Sequence, residues 1–211
     1  GFQYVPDPLN KNETVEKFEL RDGDCAAHRT WDDCSSGRER SEVTSKIRSS
    51  VGSEYIYSWE IYFPTDYQSV SPGTSYIVQL HQSPAYKSRS NYPAFPFEEY
   101  KGNYRILGTV LIDEKNLRGK WHKIEAHIKW SKNGTGFFKV FSNGVKKIDM
   151  KNVSTMGTKY AYTYLKYGIY RLNLNAYKRT QLTPGADLAD IKMPTQVVLF
   201  KNVSIARQVS K

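Results

Sequence analysis

HKIEAHIKWSKNGTGFFKVFSNGVKKIDM, residues 122–150, reads as three strands joined by two tight turns. Ile124, Ala126 and Ile128 recur on every second position, the period that sends alternate side chains to opposite faces of a sheet. Asn133-Gly134 follows the first run and Asn143-Gly144 the second, and Asn-Gly readily supplies the positive φ angles that a short hairpin turn needs. The segment is therefore a three-strand meander. The same period, rich in Tyr, Ile, Val, Phe and Trp, continues outward in 55–63 (YIYSWEIYF), 75–81 (SYIVQLH), 104–112 and 197–205. Strands dominate and helices are scarce. The fold expected is all-β: a two-sheet antiparallel sandwich of the jelly-roll kind, with a concave face forming a groove, in a single domain over residues 1–211. The stretch 83–102, with three prolines and no clean period, is expected to be a long loop beside a strand.

The chain has 211 residues, of which 39% are hydrophobic and 14% aromatic, enough for a folded core. No run approaches the roughly 18 apolar residues of a membrane span. The opening GFQYVPDPLN lacks Met and any charged-then-apolar leader, so a mature, soluble chain is expected; a monomer in a secreted or extracytoplasmic setting is expected as well. Cys25 and Cys34 are either a short-loop disulfide of an oxidising compartment or two free thiols. Sequons at Asn12, Asn133, Asn152 and Asn202 would accept glycans only in a eukaryotic secretory pathway.

The formal net charge of +10 calls for a polyanionic partner. The basic residues are scattered and not gathered in a tail. No zinc-finger spacing, basic zipper or RNA-binding strand signature is present, so an acidic polysaccharide is expected and nucleic acid is not.

Three strand segments carry candidate chemistry. In RERSEV (38–43), alternation puts Arg38, Arg40 and Glu42 on one face, where two guanidiniums beside a carboxylate can clamp a substrate carboxylate, Glu42 holding Arg40 in place. In QLH (79–81), Gln79 and His81 share the face opposite Leu80. In YLKYGIYR (164–171), Tyr164, Lys166, Gly168 and Tyr170 fall together, with Gly168 leaving room for close approach of a ligand. Each segment alone reads as an ordinary strand face.

Together they resemble the jelly-roll polysaccharide lyases of the alginate lyase, glucuronan lyase and heparinase I type, which carry Arg-Ser/Thr-Glu, Gln-x-His and Tyr-x-Lys-x-Gly-x-Tyr strands in that order. WEIYFPTDY, GKWHKIEAHIKW and GTGFFKVFSNG look more like the glucuronan lyase and heparinase I branch. The resemblance implies β-elimination on a uronate polymer, glucuronan before alginate, with Tyr170 transferring the proton and Gln79, His81 and Arg40 around the substrate carboxylate. Lys166, Arg38, Glu42, Tyr164 and Arg171 complete the implied substrate-binding set. Arg171-Leu172 stands where the alginate pattern continues with Asn-Gln, which moves the expected substrate from alginate toward glucuronan. No cofactor is required for that chemistry. A structural calcium ion is a further implication, with Asp22/Asp24 and Asp32/Asp33 as its acidic pairs.

The chemistry needs these residue types. The C5 proton of a uronate is too weakly acidic while its carboxylate is fully charged, so the charge must be neutralised by Arg40, Gln79 and a protonated or donating His81. In D-glucuronate and D-mannuronate the C5 hydrogen and C4 oxygen lie on the same side, so one Tyr can be both base and acid. Lys166 and Arg40 are expected to help it toward the phenolate. Competing functions fit less well. A glycoside hydrolase needs two carboxylates facing across a groove, and no Glu-x-Asp-x-x-Glu strand occurs. His122 and His127 face opposite sides of one strand, and HExxH is absent, which leaves no zinc site. A non-catalytic acidic-glycan-binding module would not need Gln79, His81 and Tyr170 together.

Overall fold

The computed structural model describes residues 1–28, 31–84 and 92–208. Two sheets pack face to face. The back sheet runs, in spatial order, β1 (Phe2–Pro6), β2 (Thr14–Leu20), β16 (Gln196–Gln208), β7 (Glu54–Tyr62), β12 (Trp121–Lys129), β13 (Gly136–Ser142) and β14 (Val145–Val153). The front sheet runs β11 (Thr109–Ile112), β10 (Asn103–Ile106), β9 (Pro93–Tyr100), β8 (Thr74–Pro84), β15 (Tyr160–Leu172) and β5 (Glu39–Thr44), and β6 (Ser49–Ser50) also pairs with β15. A small hairpin of β3 (Ala27–His28) and β4 (Trp31–Asp32) precedes β5, and two short helices, α1 (Glu114–Leu117) and α2 (Leu174–Thr180), lie in connections. Every ladder within the sheets is antiparallel, as the jelly-roll reading requires.

The meander forms, with Asn143 and Gly144 both at positive φ in the β13–β14 turn, whereas β12 and β13 are joined by a longer loop over 130–135 in which Gly134, and not Asn133, takes positive φ. Alternation builds the core: Tyr57, Trp59 and Ile61 of β7, Ile124, Ala126 and Ile128 of β12, and Leu80, Leu165 and Ile169 of the front sheet meet in one apolar cluster. Trp59 packs edge-on to Phe97 at 4.8 Å, which joins the sheets across their centre. The four sequon asparagines are exposed and all belong to strands or turns of the back sheet.

Two expectations change. The segment 104–112 is two strands, broken at Leu107-Gly108, where both residues take positive φ. Of the stretch 83–102, the described part is mostly strand, the end of β8 and all of β9, and residues 85–91, where the middle of the expected loop falls, lie outside the described ones. β10 pairs only with Glu98–Tyr100, so Pro93 and Pro96 lie where β9 has β8 alone beside it, and an open edge tolerates proline. The period is present in Phe95, Phe97 and Glu99, which face inward.

Candidate active site

The polar residues of β5, β8 and β15 stand on the outer face of the front sheet. Lys166 pairs with Gln79, Tyr164 with His81, and Tyr170 with both Arg40 and Tyr76. All three candidate segments therefore meet on one surface, as their alternation implies. Gln79, whose amide donates to Glu42, is only 2% exposed.

Glu42 is the hub. Its carboxylate accepts hydrogen bonds from the Gln79 amide and from Lys166 Nζ at 2.7 Å, and Arg40 Nη1 stands 3.4 Å away. Arg40 itself is held elsewhere, by a bidentate pair with Asp33, its Nη2 at 2.9 Å from Oδ1. The guanidinium lies 4.2 Å above the Tyr170 ring and 4.7 Å from the exposed Trp31, sandwiched between them. Asp33 and Trp31 come from the β3–β4 segment, where Cys25 and Cys34 are joined by a disulfide with a Cα–Cα distance of 5.1 Å. Backbone bonds from Arg38 N to Asp33 O and from Arg40 N to Asp24 O fasten that segment to β5. Asp33, only 2% exposed, is thus the main anchor of Arg40, the role expected of Glu42.

Tyr170 Oη accepts from Arg38 Nη1 at 3.2 Å and lies 3.5 Å from Asp33 Oδ1. Burial pushes its pKa above the usual phenol value, and Asp33 adds to this. Arg40 and Arg38 oppose the shift without cancelling it. Tyr170 therefore rests as a neutral phenol. Lys166 stands 5.8 Å from the ring centre and is spent on Glu42, so Arg38 is the cation that touches the oxygen.

His81 departs from expectation too. Its Nδ1 lies 3.0 Å from the Gln82 carbonyl, which can only accept, so Nδ1 carries the proton and Nε2 is the acceptor. Burial first, then Lys166 and Arg40, depress its pKa to about 4. The ring lies tilted against Tyr164, centres 5.2 Å apart, and is neutral, where a protonated or donating His81 is the expectation.

A family model described as polysaccharide lyase matches residues 1–185. The chain belongs to that family. The fold agrees with those of solved lyases. The lyase superposes on the endo-β-1,4-glucuronan lyase of the fungus Trichoderma reesei with TM-score 0.68 and 18% identity, over 97% of this chain and 86% of that one. On the alginate lyase Aly36B it gives 0.58 and 12%, over 90% and 80%. A GH131 β-glucanase domain from Podospora anserina also superposes, at 0.51 and 12% over 93% and 73%, so architecture alone does not decide the reaction. No curated protein matches the sequence.

Other expectations are corrected by the geometry. Arg171 of the lyase is wholly buried, with Nη2 2.5 Å from Glu39 and 3.0 Å from the Arg21 carbonyl and Nη1 on the Pro194 carbonyl. It cannot touch a substrate on the outer face, and it gives no ground for choosing between polymers. Gly168 does not leave room for a ligand. A Cβ there would overlap the Ser41 carbonyl oxygen and come within 2.8 Å of Phe18 and 2.9 Å of Glu42 Cα, so the glycine admits β5 and the core. The acidic side chains named for calcium already have partners within the protein. Asp22 takes Met193 N, Lys178 and Lys192, Asp24 takes Arg21 N, Asp32 takes Ser35 N, and Asp33 takes Arg40. Among the described residues no group of three or more His, Cys, Asp and Glu side chains is placed to hold a metal ion.

Tyr76, Trp31 and Arg48 are not among the residues the sequence singles out, and Asp33 enters there only as half of an acidic pair. The register of β8 slips by one residue against both neighbours between Tyr76 and Val78, so Ile77 and Val78 both enter the core and Tyr76 turns out beside Tyr170 at 6.4 Å. No strict alternation reveals that. Asp33 and Trp31 belong to a short hairpin with no period of its own.

Proposed function

We propose that the lyase cleaves a β-1,4-linked glucuronan by β-elimination, leaving a 4,5-unsaturated uronate at the new non-reducing end. The observation that carries this reading is the Tyr170 hydroxyl, bonded to Arg38 and set on one face with Arg40, Gln79, His81 and Lys166. Three cations there, Arg38, Arg40 and Lys166, face two carboxylates, Asp33 and Glu42. The cluster keeps one positive charge, the complement of one uronate carboxylate.

Donors remain to meet it. Arg40 commits three of its five N–H groups to Asp33 and Glu42, and Lys166 and Gln79 each commit one to Glu42. These groups neutralise the substrate carboxylate and stabilise the enolate-like anion formed when the C5 proton leaves. The electron pair of the C5–H bond then becomes the C4–C5 double bond, the C4–O bond breaks, and the leaving oxygen takes a proton. With C5–H and C4–O on one side, Tyr170 first gives its resting proton to solvent, then as phenolate accepts the C5 proton and returns it to the leaving oxygen. Arg38 is the group that favours that phenolate. Asp33 and Glu42 are both committed to ion pairs, which leaves neither free for the acid and base work of a hydrolase.

A second division of labour is favoured by the neutral state of His81: Nε2 takes the C5 proton and the Tyr170 phenol supplies its own to the leaving oxygen. This suits a uronate whose C5 hydrogen and C4 oxygen lie on opposite sides. Glucuronan is preferred on the sequence resemblance and on the likeness to the Trichoderma reesei enzyme; polymannuronate is the nearest alternative. The disulfide supports a secreted or extracytoplasmic setting.

Incubation with glucuronan, polymannuronate, polyguluronate and heparin, following ultraviolet absorbance, tests the reading. Absorbance should rise fastest on glucuronan. Preference for polyguluronate would establish the His81 division, and silence on all four would overturn the proposal.

A further inference from the structure

The positive face does not stop at the proton-transfer site. Beyond His81 the outer face of β15 carries Tyr164 and then Tyr162, ring centres 6.2 Å apart. Across both lies Arg48, its guanidinium 4.8 Å from the Tyr164 ring and 5.3 Å from that of Tyr162. Its backbone is fixed by β6, which begins at the next residue and pairs with Tyr162 and Thr163, and its Nη1 donates to the Ser45 carbonyl at 2.5 Å. Arg48 is exposed, and among the described residues it forms no ion pair.

That combination differs from the other cations on this face. Arg40 also lies on rings but is ion-paired with Asp33 and Glu42, and Lys166 is paired with Glu42, whereas Arg48 rests on aromatic rings with no such carboxylate. Stacking fixes the plane of a guanidinium and leaves its N–H edge free for a planar, bidentate acceptor such as a carboxylate. Tyr164, the nearer of the two rings under Arg48, is six residues from Tyr170, roughly 20 Å along the strand at about 3.3 Å per residue. One carboxylate cannot reach both. A chain of linked uronates, with a carboxylate on every ring, can.

Resting on the lyase reading above, we infer that Arg48, held on Tyr162 and Tyr164, is a second carboxylate-binding site that takes a uronate several rings from the bond being cut. It sets the length of polymer the enzyme holds, and it acts in binding, not in proton transfer.

The test is calorimetric titration of glucuronan oligosaccharides of increasing length into Tyr170→Phe protein, with and without Arg48→Gln or Arg48→Lys. Arg48→Gln should weaken binding of long oligosaccharides about tenfold, the scale of one charge-assisted contact. The factor should shrink for chains too short to span from Tyr170 to Tyr162. Arg48→Lys should recover less than half of the loss, because an ammonium neither stacks nor binds in bidentate fashion. Equal affinity of Arg48→Gln and its parent for long chains, or the same factor at every length, overturns the site alone. Failure of the parent to bind any length overturns the lyase reading with it.

Discussion

At Tyr170, burial outweighs two guanidiniums and the phenol stays protonated, while at His81 burial and two cations act in the same direction and the imidazole stays neutral. The second effect has a consequence for stability. An unfolded histidine titrates near 6.5 and His81 near 4, so between these values the unfolded chain binds a proton that the folded chain refuses. Stability is therefore lost as pH falls through that window. His81→Asn removes the titration, and between pH 7 and pH 5 the wild type should lose about 2 kcal/mol more than the variant in urea unfolding. Equal losses would show that His81 is not depressed. Residue identity was the part of the site most legible in the sequence: Arg38, Arg40, Glu42, Gln79, His81, Lys166 and Tyr170 share one face. Arg171 shows where the resemblance overran the physics, because alternation already puts it on the side opposite Tyr170. Charge states were not legible, since desolvation depends on neighbours that a strand pattern does not name.

Strands β5 and β15 fit because Gly168 has no side chain. At φ 132° it occupies backbone space that other residues rarely enter, and it lies in the stretch between Tyr167 and Tyr170 where β15 slips register against β8. Gly168→Ala should push β5 away, cost at least about 1–3 kcal/mol, and lower activity further by shifting Arg40 from the Tyr170 ring. Thermal denaturation and turnover measured together check this; a variant as stable and active as wild type would refute the packing role. Period-two runs and Asn-Gly turns made the meander, β7, β8 and β16 readable, since local sterics decide them. The prolines concealed β9, whose place depends on how short its neighbour β10 is. The register slip that turns Tyr76 outward depends likewise on pairing across three strands, which no single segment encodes.

On the scale of the whole molecule, a net charge of +10 surrounds a cluster at Tyr170 whose own surplus is a single charge. The scattered remainder steers a polyanion without touching it, and such steering is screened as the Debye length falls from about 30 Å at 0.01 M salt to about 3 Å at 1 M. kcat/KM on glucuronan should therefore drop about tenfold or more across that range with kcat nearly unchanged; a loss in kcat alone would assign the salt effect to the site itself. The most direct test of the central claim is Tyr170→Phe, assayed on glucuronan by ultraviolet absorbance and by polymer binding. Loss of about 10²–10⁴-fold in kcat, with binding kept within a few-fold of wild type, is expected of a proton-transfer residue. A variant that keeps most of its rate, or one that loses binding and rate in equal measure, would contradict the role given to Tyr170.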